Sequence, residues 1–62
     1  MSNLDAFIIR GHEKVIRHYR LQRETASSET ERRDFERRVA DESAALDQYI
    51  KTRLGGTHRA AA

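Results

Sequence analysis

Two stretches of this chain repeat their apolar residues at a helical period, and a short break at Thr25-Ala26-Ser27-Ser28 separates them. At about 100° per residue, Leu4, Ile8, Val15, Ile16 and Tyr19 fall within one sector of the first stretch, with Ile9 at its margin. Arg10, Glu13, Lys14, Arg17 and Glu24 lie opposite. In the second stretch Phe35, Val39, Leu46, Ile50 and Leu54 share a sector flanked by Tyr49, while Arg33, Arg37, Asp41, Ala44 and Lys51 point elsewhere. Period-2 alternation never lasts more than a few residues, and a chain rich in Arg, Glu and Ala favours helix over strand. The expected fold is all-α, an antiparallel helical hairpin.

The ends of the stripes carry matching punctuation. Ser2 or Asn3 can cap the first helix, because a side-chain oxygen there accepts a bond from an otherwise unpaired backbone N–H, and Ser2 with Asp5 has the spacing of a loose capping box. Ser28-Glu29-Thr30-Glu31 is a cleaner version, and its two carboxylates suit the positive end of a helix dipole. Gly55-Gly56 offers the left-handed geometry that ends many helices, preceded by Lys51 and Arg53, where cations are favoured. These signals place the hairpin at residues 1–56, with helix one over about 3–25, the turn over about 26–28 and helix two over about 29–54. Residues 57–62 read as a flexible tail.

Length raises the question of assembly. Each helix is about 35 Å long at about 1.5 Å per residue, yet two helices share only one seam, and so small a core is marginal alone. The stripes are also about 140° wide, broader than one neighbour covers. Pairing of two hairpins into a four-helix bundle is the simplest remedy. The core and dimer residues are then Leu4, Ile8, Val15, Ile16, Tyr19, Phe35, Val39, Leu46 and Ile50.

Polar residues inside the stripes are the more unusual feature. His12 sits near the middle of the first sector, and Glu42 with Ser43 interrupts the second. If the turn centres near Ser27, residues at one height have numbers adding to about 54, which pairs Tyr19 with Phe35, Val15 with Val39, Ile8 with Leu46 and Leu4 with Ile50. His12 then faces Glu42. A core polar layer of His12, Glu42 and Ser43 is expected, its imidazole held by the carboxylate or by Ser43, since an unpartnered buried polar group costs about 1–3 kcal/mol. Gly11 beside it would let a partner backbone approach closely. Such a layer can fix register, as polar core positions do in coiled coils; the alternative is a metal or proton-handling site.

Composition narrows the function classes. With no Cys there is no disulfide, thiol nucleophile or Cys-based zinc site. No apolar run approaches the ~20 residues that span a bilayer, and no basic n-region precedes an apolar h-region, so a cytoplasmic protein without membrane contact is expected. His12-Glu13 begins like the metalloprotease helix H-E-x-x-H, but position 16 is Ile and the second ligand is missing. His18 lies about 240° around the helix from His12 and cannot share an ion with it. No phosphate loop is present, because the Gly pair follows a helix rather than opening one. Neither catalytic residues nor cofactors are expected, and the chain reads as a non-enzyme.

Charged residues make up 35% of the chain, yet the net charge is only +2. Arg17, Arg20 and Arg23 close the first helix while Arg32, Arg33, Arg37 and Arg38 open the second, so guanidinium groups gather near the turn. Arg10, Lys14 and Arg17 form a column on helix one, and with Arg20, Arg33 and Arg37 they are the candidate nucleic-acid contacts. Glu24, Glu29, Glu31, Asp34, Glu36 and Asp41 are threaded through the same region, and ordinary i to i+4 pairing on solvated faces accounts for the mixture better.

Two resemblances bear on this reading. A hairpin of about 60 residues that pairs into a four-helix bundle resembles, in size and pattern, the Rop family of plasmid copy-number regulators, which implies an RNA-hairpin-binding alternative; no RNA-contacting residue is carried over. The stretch His18-Tyr19-Arg20-Leu21 to Glu31-Arg32-Arg33, followed by Glu36-Arg37-Arg38-Val39-Ala40-Asp41-Glu42 and Ala45-Leu46, resembles short uncharacterised bacterial two-helix proteins. It implies the fold and no activity. The functional expectation is a small helical interaction module that forms a homodimer, with another helical protein as a further partner through Phe7 and Leu21.

Overall fold

In the computed structural model, which describes residues 2–55, two α-helices pack against each other in antiparallel order. Helix α1 runs Asn3–Glu24 and helix α2 runs Glu29–Ile50, followed by a five-residue π-type turn, Lys51–Gly55. The described residues contain no strand.

Each start has its side-chain cap. Ser2, with extended backbone, accepts the Asp5 N–H on its Oγ at 3.0 Å and donates its hydroxyl to Asp5 Oδ2 at 2.9 Å. Ser28 accepts the Glu31 N–H at 3.1 Å, and Glu31 reaches back to accept the Ser27 N–H at 3.0 Å and the Ser27 hydroxyl at 3.1 Å. This is a capping box whose carboxylate extends one residue further than the S-x-x-E spacing implies. At the end of α1, Thr25 donates its N–H and its hydroxyl to the carbonyls of Leu21 and Gln22. Leaving the helix thus needs no glycine there.

The end of α2 differs from expectation. No described residue has a positive φ, and Lys51 stays right-handed while its N–H bonds the Asp47 and Gln48 carbonyls. The described chain continues from α2 into the π turn, which Gly55 closes. Gly56 and the expected tail, residues 57–62, lie outside the described residues.

The seam also sits off the centre of the α1 stripe. Ile16 is the one apolar side chain that α2 buries fully among the described residues, at 8% exposure, while Val15 beside it is 37% exposed and Leu4 59%. Ile8, Tyr19, Phe35, Val39, Leu46 and Ile50 are half-buried. The anticipated pairing of Leu4 with Ile50 therefore gives Leu4 no shelter. A 140° sector is too wide for one helix to cover, and α2 takes the half that holds Asp5, His12 and Ile16.

Candidate functional site

Heptad spacing organises the seam. Asp5, His12 and Tyr19 follow one another at seven-residue intervals on α1, and Phe35, Glu42 and Tyr49 do so on α2. Seven residues is close to two helical turns, about 10.5 Å, so the six side chains form three rungs in antiparallel register. Tyr49 donates its hydroxyl to Asp5 Oδ1 at 2.5 Å, His12 Nδ1 lies 2.5 Å from Glu42 Oε2, and the Tyr19 and Phe35 rings are 6.4 Å apart, tilted by 30°. Residue numbers add to 54 in every rung.

The outermost rung was not legible as a functional feature from residue type alone. Asp5 looks like a capping residue and does cap, but its side chain is also the one buried polar group among the described residues, at 5% exposure. Three donors converge on its carboxylate: the Tyr49 hydroxyl, the Ser2 hydroxyl and Arg53 Nη2, at 3.4 Å from Oδ1. Arg53 comes from the π turn, one turn past Tyr49. The Tyr49 hydrogen bond, then that of Ser2, holds the Asp5 carboxyl below the usual aspartate value, with the Arg53 charge helping and burial opposing. The same hydrogen bond pushes the Tyr49 phenol above its usual value, reinforced by burial. Both shifts describe one preferred state, a carboxylate accepting from a neutral phenol. The available signal was the register itself, since residues 5 and 49 satisfy the sum that pairs His12 with Glu42.

At the middle rung His12 and Glu42 are each about a quarter exposed, and the Tyr49 ring lies 6.4 Å from the imidazole. Ser43 is half-buried, but among the described residues its hydroxyl makes no hydrogen bond, so the imidazole is held by Glu42 alone. Gly11 corrects a second expectation. A Cβ built there meets nothing within 4 Å, so no backbone of the hairpin exploits its small size.

The third rung carries a cation. The Arg38 guanidinium stands 5.7 Å from the Tyr19 ring centroid, within cation–π range. The remaining basic candidates are scattered. Arg37 lies 4.0 Å from Asp34 and Arg32 2.7 Å from Glu29, both one turn apart on α2. Arg10, Lys14, Arg17, Arg20 and Arg33 form no ion pair among the described residues. Arg10, Lys14 and Arg17 border a shallow groove on the outer side of α1, together with Phe7, Gly11 and Glu13.

Chemically the seam is a set of closed pairs. No buried side-chain nitrogen or oxygen among the described residues lacks a partner, and no group of three or more His, Cys, Asp or Glu there could hold a metal ion. No described helix is long and apolar enough to cross a membrane. No protein-family model, curated protein or solved structure matches this chain.

Proposed function

We propose that this chain is a small helical interaction module that self-associates through its apolar stripes into a four-helix bundle, with no catalytic role. The observation that carries the reading is the mismatch between stripe and seam. Leu4 and Val15 belong to the same sector as the buried Ile16, yet α2 leaves them 59% and 37% exposed. Only a second layer of helix would remove them from water, and each fully buried aliphatic side chain contributes about 1.5–3 kcal/mol. The polar rungs fit this role, because hydrogen-bonded pairs at fixed heights penalise every shifted alignment of the helices.

Light scattering on the purified chain tests the proposal. The expected mass is twice the 7.2 kDa of one chain, and Val15→Glu should return it to one. A well-folded monomer at micromolar concentration would sink the idea. Replacing His12 by Leu should leave assembly intact or tighter if that rung only aligns the helices.

Nucleic-acid binding in the manner of the Rop family is the second reading. What favours it is the set of cations without ion pairs, Arg10, Lys14, Arg17, Arg20 and Arg33, on exposed helix faces. The placement of the aromatics speaks against it, since Tyr19 and Phe35 are engaged with each other. A gel shift with an RNA stem should weaken steeply with salt if phosphates are contacted.

A further inference from the structure

The four large hydrophobic side chains that the described residues leave exposed are Leu4, Phe7, Val15 and Leu21, and all belong to α1. They also share one side of it. At about 100° per residue, the arc from Arg17 round to Val15 spans about 160°. It takes in these four residues and Arg10, Lys14 and Arg17. None of the α1 carboxylates falls on it: Asp5 is in the seam, and Glu13 and Glu24 lie beyond Arg17. The outer side of α2 is different, since Arg33, Asp34, Arg37 and Asp41 mix both signs there.

Gly11 sits within this arc, in the groove that Phe7, Arg10, Lys14 and Arg17 line. Glycine is the poorest helix former after proline, and with open space around its missing Cβ nothing inside the hairpin accounts for it. Its effect is a notch between Phe7 and Val15, one turn away on either side. Glu13 lines the groove as well, about 120° round the helix from Phe7.

We propose that this strip of α1 docks an acidic amphipathic helix of a partner protein, whose apolar line packs on Phe7 and Leu21, whose side chain enters the Gly11 notch, and whose carboxylates face Arg10, Lys14 and Arg17. The strip shares its Leu4 and Val15 border with the surface invoked for self-association, so the two occupants compete for it, but the inference does not depend on that reading. Charge selects the class of occupant. Three cations without ion pairs beside exposed apolar groups, outnumbering the single Glu13 carboxylate in the groove, complement a surface that is apolar and anionic. A lipid surface fits less well, because a headgroup layer has no side chain to fill the Gly11 notch and meets the Glu13 carboxylate in the same groove. A nucleic acid gains nothing from four exposed apolar side chains, and it has no use for a notch.

The test uses the whole chain and a labelled synthetic helical peptide with leucine along one line and glutamate on both flanks. Its counterparts are the same peptide with lysine for glutamate, vesicles containing phosphatidylserine, and an RNA stem. Fluorescence anisotropy should show the acidic peptide binding and the basic one not. Lys14→Glu should weaken binding at least tenfold. Gly11→Leu should do the same while leaving the helices at least as stable, so that loss of binding cannot be ascribed to unfolding. Failure to bind the acidic peptide, equal binding of both peptides, or preference for vesicles or RNA overturns the proposal. So does light scattering in which Lys14→Glu dissolves a homodimer, which would assign the strip to self-association. A monomeric wild type that still binds the acidic peptide would retain this inference and overturn only the dimer.

Discussion

The two ends of the hairpin are held together by different chemistry. Near the turn, the Tyr19 ring packs against Phe35 and under the Arg38 guanidinium, and the Ser27, Ser28 and Glu31 side chains close the start of α2. At the open end the last rung is a buried carboxylate with three side-chain donors. The chain itself keeps Tyr19 beside Phe35, only sixteen residues on, so weak and non-directional contacts suffice. Asp5 and Tyr49 are separated by almost the whole hairpin, and closing that loop has a larger entropic penalty. Directional bonds that tolerate one alignment only are placed where the covalent link helps least.

Breaking the open end should have the largest effect. Asp5→Ala keeps the Ser2 cap on the residue-5 N–H but leaves the Ser2 hydroxyl, the Tyr49 hydroxyl and Arg53 without their acceptor. Amide exchange should accelerate over the first turns of α1 and the last of α2, with the residues around the turn retaining more protection. The pH profile probes the same rung. Because the folded Asp5 carboxyl titrates below its ordinary value of 3.8, its stabilisation is complete above that value and is lost as pH falls through the folded one. Because the Tyr49 phenol is raised above 10.0, its contribution holds below pH 10 and disappears as pH rises through the folded value. Thermal melts of Tyr49→Phe should lose the alkaline limb and keep part of the acid one, since Ser2 and Arg53 still favour the Asp5 carboxylate.

Phe35→Ala comes next and tests the turn end. For a half-buried ring the expected loss is about 2 kcal/mol, below the 3–5 typical of a fully buried one, read from the midpoint of urea unfolding. Ser28→Ala should lower stability by about 1 kcal/mol through the cap, with exchange rising in the first turn of α2 only. The smallest effect is Arg38→Gln, about 0.5 kcal/mol for a solvent-exposed cation–π contact. If that substitution rivals the loss at Asp5, the contrast between the ends is wrong.

Much of the fold was readable because period and punctuation agree: the stripes give two helices, and Ser2 and Ser28 mark where they start. The register was readable too, and it brings His12 to Glu42 and Tyr19 to Phe35. Three things were not. Asp5 had an adequate local explanation as a cap, which hid its long-range partner. The stripe does not say which half of itself will be covered, because Leu4, Ile8, Val15 and Ile16 are equally apolar, and the seam followed the polar rungs instead. The widening into a π turn over Lys51–Gly55, which brings Arg53 to Asp5, has no signature in residue type.

The three rungs have a consequence for the turn itself. If the alignment of the helices is written into side chains spaced seven apart on each, the link at Ala26 carries no information about how they fit. Its work is to keep the local concentration of one helix around the other high. The two halves supplied as separate peptides should then find the same alignment at sufficient concentration, and a longer tether should weaken the pairing only gradually while leaving each side chain opposite the same neighbour.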